Sequence, residues 1–176
     1  MPTASIDHIA IPTSNAEQLL AFYKRLGFPI NNEEAWRAGT VPTFSIQVGE
    51  YAKINVHPEG FTASLRGPTA VPGCMDICFV WDGTVEECQK MLAEAGVEII
   101  AGPGRRAGGR GRGLTPSLSL YARDPDGNLV EFTVDTRVLD ESDRIEAEEI
   151  IADDSPATVP EYSGTVYLPD GRVLQI

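Results

Sequence analysis

The nine residues Asp124-Pro125-Asp126-Gly127-Asn128-Leu129-Val130-Glu131-Phe132 decide how the rest of the chain is read. The opening residues are turn formers by separate mechanisms: Pro125 presets φ, Gly127 tolerates a positive φ, and the Asp side chains bond to nearby backbone. A strand follows through Val134, because Val130, Phe132 and Val134 alternate onto one face and Leu129, Glu131 and Thr133 onto the other. A carboxylate in the middle of so apolar a strand needs water or a partner, since burying an unpaired charge is costly. Other strands of the chain raise the same question.

Residues 5–11 alternate as a strand with Ile9 and Ile11 on one face and His8 on the other. Ser14 and Glu17 form a capping-box pattern before a helical stripe of Leu19, Phe22, Tyr23 and Leu26, which Gly27 ends. Residues 33–38 and 42–48 read as strands, and 51–57 as a further one, with Ile54 and Val56 opposed to Lys53, Asn55 and His57. Prolines and glycines over 58–73 read as a linker. The programme then repeats. Residues 74–80 are a strand with Asp76 opposite Met75, Ile77 and Phe79, and Thr84 and Glu87 are a second capping box. Val85, Cys88, Met91, Leu92 and Ala95 make the stripe, and Gly96 is the stop. A strand around 97–101, a Gly/Arg loop at 102–113 and strands at 115–123 and 128–134 complete it. Two copies of one βαβββ unit, of class α+β, are the expectation.

On this repeat His8 and Asp76 fall on the first strands of the two halves, and His57 and Glu131 on the last, all opposite the main apolar face. The chain has no other histidine. Imidazoles with carboxylates are ligands for a divalent Zn, Ni, Co, Mn or Fe ion. Asn55, Arg106 and Tyr121 are candidate substrate contacts. Arg105, Arg106, Arg110 and Arg112 lie among glycines, where a cationic loop can clamp a carboxylate or phosphate. The alternative is a solvated loop that answers the acidic tail. Cys74 and Cys78, which flank Asp76, read as small packed residues.

Three stretches carry a family likeness: His8-Ile-Ala-Ile11, Ala21-Phe-Tyr-Lys-Arg-Leu-Gly-Phe28 and Arg123-Asp-Pro-Asp-Gly-Asn-Leu-Val-Glu131. Residues 5–134 resemble the vicinal oxygen chelate superfamily of glyoxalases, bleomycin-resistance proteins and extradiol dioxygenases. Ile54-Asn-Val-His57, Asp76-Ile-Cys-Phe79 and Gly102-Pro103 are similar to its small glyoxalase-domain-containing 5 type. The resemblance implies paired modules forming a cupped mixed sheet around one metal ion, and a homodimer. It carries metal positions onto His8, His57 and Glu131, with Asp76, where many members have histidine, as the fourth. Domains follow as 1–135, with modules at about 1–60 and 73–135 and a linker at 61–72, then an acidic extension at 136–176. That extension reads as helical over 138–152 with a terminal hairpin around Pro169-Asp170-Gly171, and Tyr167 and Leu174 are expected to be buried.

The net charge of −12 is concentrated at the end, where residues 136–176 hold ten acidic and three basic side chains. Such acidity argues against nucleic acid or an anionic membrane as partner. An odd three cysteines make no disulfide framework, and no apolar run reaches transmembrane length, so a cytoplasmic protein is expected. The expected function is a metal-dependent glyoxalase-type lyase or isomerase, acting on a small substrate through vicinal oxygens, with Glu131 and Asp76 as its catalytic carboxylates. The alternatives are an Fe(II) extradiol-type dioxygenase, or a resistance-type protein that binds without turnover.

Overall fold

The computed structural model describes residues 5–110, 113–135, 141–153, 165–167 and 173–175. They divide into one unit of Met1–Met75 with Asp124–Asn128 and another of Asp76–Arg123 with Leu129–Ile176. In the first, β1 (His8–Pro12) runs parallel to β4 (Ala52–His57). Antiparallel pairings with β3 (Phe44–Val48) and then β2 (Ile30–Asn31) complete the order β1-β4-β3-β2. Alternation turns Ile11, Phe44, Ile46, Ile54 and Val56 into the core, where the helix α1 (Ala16–Arg25) adds Leu19, Leu20, Phe22 and Tyr23.

The second unit repeats this plan. Its β5 (Asp76–Val80) is parallel to β8 (Leu129–Asp135), followed by antiparallel β7 (Thr115–Arg123) and β6 (Ala101–Gly108), in the order β5-β8-β7-β6. Phe79, Leu120, Ala122, Val130 and Phe132 are buried, as are Cys88 and Leu92 of α3 (Val85–Glu94). Both α1 and α3 end at a glycine of positive φ, Gly27 at 86° and Gly96 at 66°. The two four-stranded mixed sheets with their helices make this an α+β protein built on two βαβββ modules.

Three local expectations are corrected. Thr84 and Glu87 form the full capping box, but α1 is capped by Asn15, whose side chain accepts from the Gln18 N–H at 3.0 Å. Ser14 is drawn off instead by Asp126, to which its backbone N–H donates at 2.8 Å, while Glu17 pairs with Arg37. Residues 33–37 form a short helix, α2 (Glu33–Arg37), because Asn32 turns the chain at φ 64° and a run of helix formers follows. The strand expected there is only Ile30–Asn31, just upstream. Most of the Gly/Arg loop is the strand β6. Glycine and proline read as turn signals, yet β6 is an edge strand bonded only to β7, where both are tolerated. Gly102 is required there, since a Cβ would stand 2.3 Å from the Ser119 carbonyl oxygen.

In the extension, α4 (Glu141–Asp153) runs against β6 and β7, and β9 (Thr165–Tyr167) pairs antiparallel with β10 (Val173–Gln175). The Pro169–Gly171 turn and the side chains of Tyr167 and Leu174 lie outside the described residues. Among the described residues, no helix is long and apolar enough to cross a membrane.

Candidate metal and substrate site

On β1, His8 is exposed and its Nδ1 lies 2.6 Å from Asp7 Oδ1. A carboxylate can only accept, so Nδ1 carries a proton, and in the neutral ring Nε2 is left as an acceptor. That hydrogen bond, more than the charges of His8 and Lys53, holds the Asp7 carboxyl below its ordinary range. The ladder sets Lys53 opposite His8, Asn55 opposite Ala10 and His57 opposite Pro12, all on the side of the sheet away from Ile54 and Val56.

His57 lies on the strand face that the sequence suggested, at the far end of β4 from Lys53, the partner of His8. Its partner Pro12 stands four residues beyond His8, about 13 Å along the strand at the usual rise. Arg66 Nη2 lies 3.0 Å from His57 Nδ1, and the Phe61 ring centroid is 4.9 Å away. A guanidinium can only donate, so here Nε2 carries the proton and has no lone pair for a metal. Burial, then the Arg66 charge, lowers the imidazole's pKa.

The second unit gathers its polar residues more tightly. Glu131 sits opposite Cys78 on β5, two residues from Asp76, and opposite Tyr121 on β7. The Tyr121 hydroxyl donates to Glu131 Oε1 at 3.2 Å and accepts from Arg106 Nε at 2.8 Å. Partial burial, then the Glu131 charge, raises the Asp76 carboxyl, against a smaller opposing effect of Arg123. The same causes push the Cys78 thiol up to about 12, so it remains protonated near neutral pH. Tyr121 is raised by burial and by Glu131. Arg106, Tyr121 and Glu131 thus form one hydrogen-bonded chain across three strands. The link from Tyr121 to Glu131 was not visible from spacing, since only the β7–β8 register reveals it.

The registers also correct the repeat equivalence. Glu131 lies opposite the third residue of β5, and the corresponding place in the first unit, opposite the third residue of β1, is Asn55. His57 corresponds instead to Thr133. The fit to a metal is therefore uneven. His8 presents a free Nε2 with a carboxylate behind it, as ligating imidazoles do, and Asp76 and Glu131 are like charges that a cation would relieve. His57, bonded to Arg66, does not fit as it stands. Within either unit, no three His, Cys, Asp or Glu side chains among the described residues gather as a ready metal cluster.

The motif that opened the sequence reading has a structural role of its own. Asp124, buried, accepts from the backbone N–H of Asp126 and of Asn128 and from Asn128 Nδ2. Asn128 Oδ1 in turn takes the Met75 N–H at 2.8 Å. Glu131, the last polar residue of the stretch, lies instead on the strand face shared with Asp76, Cys78 and Tyr121.

Two βαβββ modules, each with its first strand parallel to its last, define the class of fold. A family model described as the glyoxalase/bleomycin resistance protein/dioxygenase superfamily matches residues 5–132, and the chain belongs to that superfamily. It is 33% identical over 129 residues to the glyoxalase domain-containing protein RDO1 of Mycosarcoma maydis, covering 73% of this chain and 67% of that one. It is 30% identical to the virulence protein STM3117 of Salmonella typhimurium, covering 73% of this chain and 82% of that one. The crystal structure of the latter superposes with a TM-score of 0.64 at 28% identity, over 76% of this chain and 98% of that one. An integron cassette protein from the mobile metagenome of V. cholerae matches with a TM-score of 0.64 at 27% identity, over 76% and 97%.

Proposed function

We propose that this chain is a metal-dependent lyase or isomerase of glyoxalase type, acting on a small substrate that chelates the metal through vicinal oxygens. The observation that carries this reading is the Asp76–Glu131 pair on a shared strand face, where burial and then the Glu131 charge raise the Asp76 carboxyl. His8, with Asp7 behind it, supports the same reading. His8, Asp76 and Glu131 are the proposed ligands, with Asn55 at the fourth position in place of His57. A divalent ion bound there supplies Lewis-acid polarisation of the substrate's oxygens. The chain's own contribution is proton transfer. Tyr121 occupies Glu131 Oε1, which leaves Oε2 for ligation or for the proton, and Asp76, raised by burial and by the Glu131 charge, is the other carrier.

The test is elemental analysis and calorimetric titration with Ni, Co, Zn and Mn on protein prepared without affinity-tag metal. One ion per chain is expected, with His8→Ala and Glu131→Gln each weakening affinity by about tenfold or more. Asn55→Ala should weaken it more than His57→Ala. Undiminished affinity in the His8 and Glu131 variants would remove the metal reading. A larger loss in His57→Ala, with oxygen-sensitive iron as the bound metal, would turn the assignment toward a dioxygenase.

A further inference from the structure

Arg105 and Arg106 are adjacent on β6 and have opposite fates. Arg105 pairs with Leu118 across the ladder, on the core side of the sheet, and its guanidinium is met by Glu146 of α4. Arg106 pairs with Ser117, on the side of Tyr121 and Glu131. It is half-buried, and among the described residues no carboxylate neutralises it. Its Nε donates to Tyr121 and its Nη1 to the Arg105 carbonyl at 2.8 Å, with Cζ 5.5 Å from the Tyr121 ring centroid. Both acceptors are neutral, so they orient the guanidinium without cancelling its charge. Tyr121 also stands between Arg106 and Glu131, bonded to each, where a direct ion pair would have satisfied both.

The residues that flank this cation are small. Its neighbours on the same side of β6 are Gly104 and Gly108, and a Cβ at Gly104 would already come within 3.6 Å of Nη1. Across the ladder stand the small Ser117 and Ser119, whose hydroxyls are committed to the Arg106 carbonyl at 3.1 Å and to Thr133 Oγ1 at 3.2 Å. Among the described residues nothing accepts from Nη2 or from the second N–H of Nη1, which remain for a ligand. We infer that Arg106 is the receptor for an oxyanion carried by the substrate, a carboxylate or a phosphate-type group, held beside Glu131. This deepens the proposed function, which it presupposes only in calling the ligand a substrate: the molecule is a small organic acid whose chelating oxygens face Glu131 and whose anion faces Arg106.

Metal-free, full-length protein is titrated with inorganic phosphate and, separately, with acetate, following the arginine Nε–H and backbone amide resonances by NMR. A saturable shift of the Arg106 Nε–H and of the Tyr121 and Ser119 amides is expected. A response to phosphate alone assigns a phosphate-type group, and a response to acetate alone assigns a carboxylate. Arg106→Gln should abolish the amide shifts, and Arg106→Lys, which keeps the charge but loses the planar fork, should weaken binding by at least about fivefold. Arg105→Gln should leave binding unchanged. No saturable response in the wild type, or equal losses in the Arg105 and Arg106 variants, would overturn the assignment. Because no metal is present, anion binding in a protein that binds no metal would uphold this site while removing the lyase reading, and metal binding without anion binding would do the reverse.

Discussion

At the scale of single residues, Asp124 shows how burial and hydrogen bonding compete on one carboxyl. It is 5% exposed, and burial is the main cause that pushes it up to about 6, with the Asp126 charge adding to it. The bonds from Asn128 and from the Asp126 backbone act the other way. An unfolded Asp titrates near 3.9, so between about pH 4 and 6 the native state holds more protons at this site than the unfolded state. Its contribution to stability therefore grows as pH falls through that window and shrinks as pH rises. His57, lowered, has the opposite sign near its own range, as do Asp7 and Glu33, also lowered, from the acid end of the window downward. Comparing wild type with Asp124→Asn cancels those groups. The variant should be less stable at every pH, since it loses an acceptor for Asn128 Nδ2, and its deficit should widen by on the order of 2 kcal/mol between pH 7 and 4. Urea denaturation at several pH values measures this, and parallel profiles would show that Asp124 does not titrate in the window.

At the scale of elements, α1 and α3 start by different means. Thr84 and Glu87 cap each other's backbone, whereas Asn15 caps α1 alone and Ser14 serves the turn at Asp126. Asn15→Ala should cost about 1 kcal/mol and speed amide exchange at Gln18. Ser14→Ala should destabilise without changing that exchange, and faster exchange in the Ser14 variant would return the cap to Ser14. Both helices, their glycine stops and most strands were legible because apolar periodicity and turn chemistry are local. What was not legible depended on distant partners. Asp126 redirects Ser14, and β7 makes a strand of the glycines in β6; the helix at 33–37 is the exception, since Asn32 turns the chain locally. The site divides the same way. His8, Asp76 and Glu131 stood out by residue type and alternation, but the equivalence of His57 to Glu131 rested on letter spacing across unequal loops. Register belongs to the ladder, and a shift of two residues keeps the face while moving the side chain by about 7 Å.

At the scale of the whole molecule, the question is what the acidic extension does for a chain that already holds two modules. Parity on β6 answers for α4. The row of Arg105 and Leu118 is continuous with the buried Leu120 and Ala122, while the row of Arg106 and Ser117 continues to Ser119 and Tyr121. Glu146 meets Arg105, so α4 is tied to the sheet from the side opposite Glu131. It acts as a brace on the back of the second sheet and not as a cover for the candidate site. The tie itself is weak: both partners are substantially exposed, and such pairs contribute up to about 1 kcal/mol. Arg105→Glu should lower the thermal midpoint by more than neutral Arg105→Gln, because it sets like charge against Glu146 and the other acids of α4. The swap Arg105→Glu with Glu146→Arg should recover part of the loss. Metal affinity and anion binding should be the same in all three proteins. A charge reversal that altered either binding event while leaving the melt unchanged would place α4 at the site after all.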